Sequence, residues 1–112
     1  MPTTDVNTTD VETAPAELVS LDELDGTPHA SLFEAEPKTV RLTLDEGDQI
    51  ATHRHPDRRI VFHLTDGRMT VTLDGEPHEL EAGDVFRFDG AQSVSPEALE
   101  ASTALLVMAL RD

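Results

Sequence analysis

An antiparallel all-β fold, a sandwich or barrel, is what this sequence predicts, and three observations predict it. Short runs alternate apolar with polar residues. Asp-Gly dipeptides, Asp66-Gly67 and Asp74-Gly75, separate several of those runs, and no long stretch carries helical periodicity. A chain of 112 residues and 12.2 kDa has room for one such domain around one core.

The first sixteen residues, Met1 to Ala16, mix Thr, Asp, Glu, Val and Pro without apolar periodicity, which predicts a disordered acidic tail. Residues 17–37 read as a lead-in that packs on the barrel. Within it Leu18, Val19, Leu21 and Leu24 suit either an edge strand or a turn of helix, and Gly26-Thr27-Pro28 ends the pattern.

The barrel is expected over residues 38–112. From Lys38 to Asp45, Val40, Leu42 and Leu44 share one face and Thr39, Arg41 and Thr43 the other, the period of a half-buried strand. Glu46-Gly47-Asp48 turns the chain into a strand from Ile50 to His55, which Pro56 ends because it has no N–H to give a ladder. Arg59 to Thr65 is expected to pair with Arg68 to Leu73 across Asp66-Gly67, and Asp74-Gly75 leads into Glu76 to Leu80. Such tight turns need positive φ, which Gly supplies. Val85 to Phe88, a short piece near Val94, and Thr103 to Leu110 complete the strands. The unbroken apolar run from Ala104 to Leu110 predicts that both faces of the last strand are covered, the outer one by the Leu18–Leu24 segment or by a second chain.

Composition excludes several functions. A net charge of -15, from 23 acidic and 8 basic residues, leaves too few cations to grip nucleic acid phosphates. The chain has no cysteine, hence no disulfide, thiolate metal site or cysteine nucleophile. No run is long enough to span a membrane, and the first thirty residues lack a basic start and an apolar stretch, so a cytoplasmic location is expected. Asp and Glu recur along the whole chain, and self-repulsion of that size is relieved by salt, which points to a halophilic source.

One frame of residues carries more than composition does. Gly47 is followed after five residues by His53-Arg54-His55, and Gly67 follows further on. Gly83-Asp84-Val85-Phe86-Arg87-Phe88 forms a second block. This spacing resembles the two motifs of the cupin superfamily, in which Gly, five residues and His-x-His precede a Glu and a Gly, and a Gly-Asp block precedes Pro-x-Gly and a further His. The resemblance extends over roughly residues 38 to 110. It implies a jelly-roll β-barrel and a metal held by three His and one Glu. In this chain the Glu position is Ile60, the last His position is Val94, and the Pro-x-Gly turn reads Asp89-Gly90-Ala91.

Residues two apart on a strand point to one face about 7 Å apart, so His53 and His55 can aim at one ion. Catalytic zinc usually has three protein ligands, and iron and manganese favour carboxylates beside imidazole, whereas Ile60 and Val94 cannot solvate charge. The reading is a degenerate metal site, with Fe, Mn, Ni or Zn bound weakly if at all. Ile60, Phe62 and Leu64 on one strand face, with Val94 opposite, are expected to line a core or apolar pocket. Arg58, Arg87 and Gln92 are candidate polar contacts at the mouth, and Asp57 and Asp89 are loop carboxylates near it. His63 is out of phase with Ile60 and should point away. His78 is expected to be partly exposed, and His29, outside the frame, to lie at the surface. Ser93 and Ser95 belong to no recognisable nucleophile arrangement.

Three functions fit these residues. The first is a cupin that holds a small, partly apolar molecule against His53 and His55 without established catalysis. The second, an alternative of a different class, is a metal-dependent enzyme of dioxygenase or isomerase type in which the two His and an unconventional ligand hold the ion. The third is a barrel that serves only as a dimerisation scaffold. Cupins commonly dimerise, and a homodimer is expected here.

Overall fold

In the computed structural model, residues 13–111 are described, and they form two antiparallel sheets packed face to face. The tail expected over residues 1–16 lies outside the described residues from 1 to 12. Residues 13 to 16 carry no regular structure. The eight strands are β1 (His29–Ser31), β2 (Lys38–Leu44), β3 (Arg58–Asp66), β4 (Arg68–Leu73), β5 (Glu76–Glu81), β6 (Val85–Asp89), β7 (Val94–Ala98) and β8 (Ser102–Leu110). One sheet has the order β1-β2-β8-β3-β6 and the other β5-β4-β7. This is the all-β jelly-roll architecture.

Period-two alternation explains the core. Val40, Leu42 and Leu44 of β2, Ile60, Phe62 and Leu64 of β3, and Met69, Val71 and Leu73 of β4 are all buried, and they meet Ala104 and Met108 of β8 between the sheets. The Asp74-Gly75 turn joins β4 to β5 as expected, with positive φ at both residues (48° and 84°), the requirement of a two-residue hairpin turn.

Asp66-Gly67 is different. β3 pairs with β6 and β8, while β4 pairs with β5 and β7, so this Asp-Gly carries the chain from one sheet to the other and closes no hairpin. Its glycine is needed for another reason as well. A Cβ at Gly67 would lie 2.4 Å from the Ala101 carbonyl oxygen and 2.9 Å from Ser102 Cα.

The expected strand from Ile50 to His55 is replaced by an irregular segment with one isolated bridge, His53 to Val94, and a second just before it, Gln49 to Glu97. Ile50 N–H donates to the Pro96 carbonyl at 2.9 Å, but Pro96 has no N–H to return, so no continuous ladder with β7 forms.

The lead-in contributes more than a cover. It contains a 3₁₀ turn, Leu21–Glu23, and then β1, which pairs with β2 as the edge of the larger sheet. Arg41, on the outer face beside Leu105, donates to the carbonyls of Leu21 (2.8 Å) and Leu24 (3.0 Å), so the lead-in lies over that end of the face. Further along the same face, Val61 and Val85 are exposed, at 36% and 64%. No helix among the described residues is long and apolar enough to cross a membrane.

Candidate functional site

The paired histidines sit where the irregular segment passes β7 and the turn after β6. His53 exchanges two backbone hydrogen bonds with Val94, His53 N–H to the Val94 carbonyl at 3.0 Å and the reverse at 2.8 Å. His55 N–H donates to the Gly90 carbonyl at 2.7 Å. These anchors bring the two imidazoles edge to face, with ring centroids 4.8 Å apart and planes at 86°. His53 Nδ1 lies 2.8 Å from the Ala51 carbonyl oxygen. A carbonyl only accepts, so Nδ1 is the donor in this contact.

Both rings border a cavity of about 500 Å³ at the end of the barrel where β2 and β3 begin and β8 ends. Ile60, Phe62 and Val94 line it, together with Leu42, Leu106 and Met108. The walls are mainly aliphatic and aromatic. Leu64 does not line it. Two residues further along β3, it is fully buried with Met69 and Val71 in the solid part of the core.

The expected mouth contacts are elsewhere. Arg58 forks onto Glu36, at 2.7 and 3.1 Å, and also donates to the Met108 carbonyl at 2.7 Å, so that both its terminal nitrogens are engaged in a structural ion pair. Arg87 pairs in register with Val61 on the outer face of the sheet and is exposed. Gln92 donates its backbone N–H to the Asp89 carbonyl, and its side chain does not border the cavity. Asp57 is exposed and also does not border it. Asp89 is engaged by Arg111 and by Ala91 N–H, interactions that hold its carboxyl below the usual range. His63 sits on the outer face, opposite Leu105 in register, and His78 is half-buried with its ring against Phe86.

The rim is built by residues outside the expected set, among them His29, which was expected only to lie at the surface. His29 and Ser31 of β1 lie in register with Leu42 and Val40, so they turn toward the interior and line the cavity. His29 is therefore part of the site despite its exposure. Lys38 lines it too. A signal for Lys38 was present, because the alternation of Val40, Leu42 and Leu44 extends back two residues to it. For His29 none was, since only nonlocal pairing sets the facing of an edge strand.

Burial, then the neighbouring His53 and Lys38, hold the His29 imidazole below its ordinary value. His55 is lowered by burial first, then by His53, Lys38, His29 and Arg58. Among the described residues, no group of three or more His, Cys, Asp or Glu side chains is arranged to hold a metal ion. His53 and His55 share the cavity with the aliphatic Ile60 and Val94, which offer an ion no donor.

Comparison with known proteins agrees with this architecture. The "Cupin domain" family profile matches residues 40–107. Among solved structures, the chain is similar to KdgF from Halomonas sp., at 20% identity and TM-score 0.74, over 88% of this chain and 96% of that one. It is also similar to the Cnp3 cupin domain of Schizosaccharomyces pombe, at 18% identity and TM-score 0.73, over 82% and 72%. A third similar structure is a predicted oxalate decarboxylase from Thermotoga maritima, at 23% identity and TM-score 0.67, over 74% and 79%. At these identities the likeness is one of fold. No curated protein matches the chain.

Proposed function

This chain belongs to the cupin domain family, and we propose that its barrel serves to hold a small, partly apolar molecule, with His53 and His55 as polar contacts and a metal site reduced below catalytic use. The cavity of about 500 Å³ carries this reading. Its size falls within the roughly 300–1,000 Å³ of ligand pockets, and apolar walls with a few convergent polar groups are their usual lining. Ile60 and Val94 support the second half, since each puts hydrocarbon where the family frame has a donor.

The test combines two measurements. Protein purified without chelator should contain far less than one metal per chain, and His53→Ala should alter ligand affinity or stability. One equivalent of metal, lost in His53→Ala together with a turnover, would replace this reading with a metal-dependent cupin enzyme.

Two further properties complete the proposal. The acidic surface suits a cytoplasm of high ionic strength, as in a halophile. A homodimer through the outer face of the larger sheet would cover Val61 and Val85. Light scattering that finds only monomer at working concentration would remove the dimer.

A further inference from the structure

The charge around the cavity runs against the charge of the chain. The sequence has one lysine, Lys38, and five histidines. That lysine and three of the histidines, His29, His53 and His55, line this one cavity. None of the described acidic residues does, in a chain that carries 23 of them. A site placed at random on so acidic a protein would include several carboxylates.

Among the described residues no carboxylate holds the Lys38 ammonium group at ion-pair distance, and its attraction to Glu36 acts over a longer range. The acid nearest to it in sequence, Glu36, has its carboxylate gripped by Arg58 and accepts only the Lys38 backbone N–H, at 3.2 Å. An ammonium group and imidazole N–H donors around a low-dielectric opening attract an anion, and apolar walls beneath them attract hydrocarbon.

We propose that the ligand is a small organic monocarboxylate with an apolar body, its carboxylate met at the rim by Lys38, His29 and His55 and its body lying against Ile60, Phe62 and Leu106. This inference rests on the pocket reading above and adds the chemical class of the occupant. The net charge of -15 would repel such an anion at a distance, so selectivity has to come from the rim itself.

The chain lacks Trp and Tyr, so calorimetry and thermal shift are the suitable methods. Matched probes, octanoate, 1-octanol and octylammonium, are titrated at pH 7 and fixed salt. Octanoate should bind about tenfold more tightly than octanol, as expected of a charge-assisted contact, with octylammonium weakest. Lys38→Met should abolish the preference for octanoate over octanol. His29→Leu should reduce the preference. Equal affinity for octanoate and octanol would overturn the carboxylate inference while leaving the apolar pocket standing. Octanoate binding unchanged in both variants would also overturn it, by placing the anion elsewhere. If neither octanoate nor octanol binds, the pocket reading falls as well.

Discussion

The carbonyl of Gly90 accepts the backbone N–H of His55 at 2.7 Å, and a Cβ built on Gly90 would stand 2.4 Å from the His55 carbonyl oxygen and 2.6 Å from that of Arg58. Gly90 also donates its own N–H to the Arg58 carbonyl at 2.9 Å. The turn after β6 thus clamps the segment that carries the histidines, and the clamp closes only because position 90 has no side chain.

Gly90→Ala should therefore act on stability and on the site together. The neighbours are backbone atoms that cannot swing aside, so overpacking should cost about 1–3 kcal/mol. Urea unfolding measures the first effect and probe affinity for the cavity the second. An alanine variant that melts and binds like the parent would show that the turn relaxes freely.

Restoring the missing donors should restore a metal. Ile60 and Val94 face the same cavity as the histidine pair, so Ile60→Glu with Val94→His would supply a carboxylate and a third imidazole. Without metal the variant should be less stable than the parent, because it buries a carboxylate without a partner. Zinc at a hundred times its Kd should then return about 2.7 kcal/mol by mass action. Zinc titration followed by thermal unfolding checks this, with the parent protein as the zinc-indifferent control. A double variant indifferent to zinc would mean that the side chains at 60 and 94 do not converge on His53 and His55.

Acidification should weaken the empty protein in a definite window. The folded-state imidazoles of His29 and His55 are held below their ordinary value of 6.5. Between that value and their lowered ones, the unfolded chain binds more protons than the folded one, so stability falls as pH drops from about 6.5. The charges facing them are His53 and Lys38, and for His55 also His29 and Arg58. Glu36 and Asp89, also lowered, act only in the more acidic carboxylate range. The variant His29→Asn/His55→Asn should show a flatter melting temperature between pH 5 and 7. An unchanged slope would exclude these two groups as its source.

Salt should raise the melting temperature. With a net charge of -15, repulsion among surface carboxylates opposes the compact state, and screening shortens its range from about 30 Å at 0.01 M to about 3 Å at 1 M. Thermal unfolding in low and molar KCl makes the comparison. A midpoint that does not move would remove the halophilic interpretation.

Much of the strand content was legible because period two is local. Val40, Leu42 and Leu44, or Ile60, Phe62 and Leu64, announce a buried face whatever they pack against. The spacing from Gly47 through Gly83 likewise announced the family, and with it the positions at which Ile60 and Val94 stand. Asp66-Gly67 misled because a glycine turn joins strands within a sheet or across two sheets with equal ease, and the choice belongs to the partners of β3 and β4.

The residues alone determined a cysteine-free β-barrel of the cupin family with two neighbouring histidines, and with Ile60 and Val94 at two positions of its motif frame, since these are matters of composition and spacing. Only the tertiary structure decided that an edge strand brings His29 to the rim with Lys38, that Arg58 is paired with Glu36, and that Leu64 belongs to the solid core rather than the cavity. Each of these depends on pairing between segments distant in the chain, and no local pattern of side chains encodes which strand lies beside which.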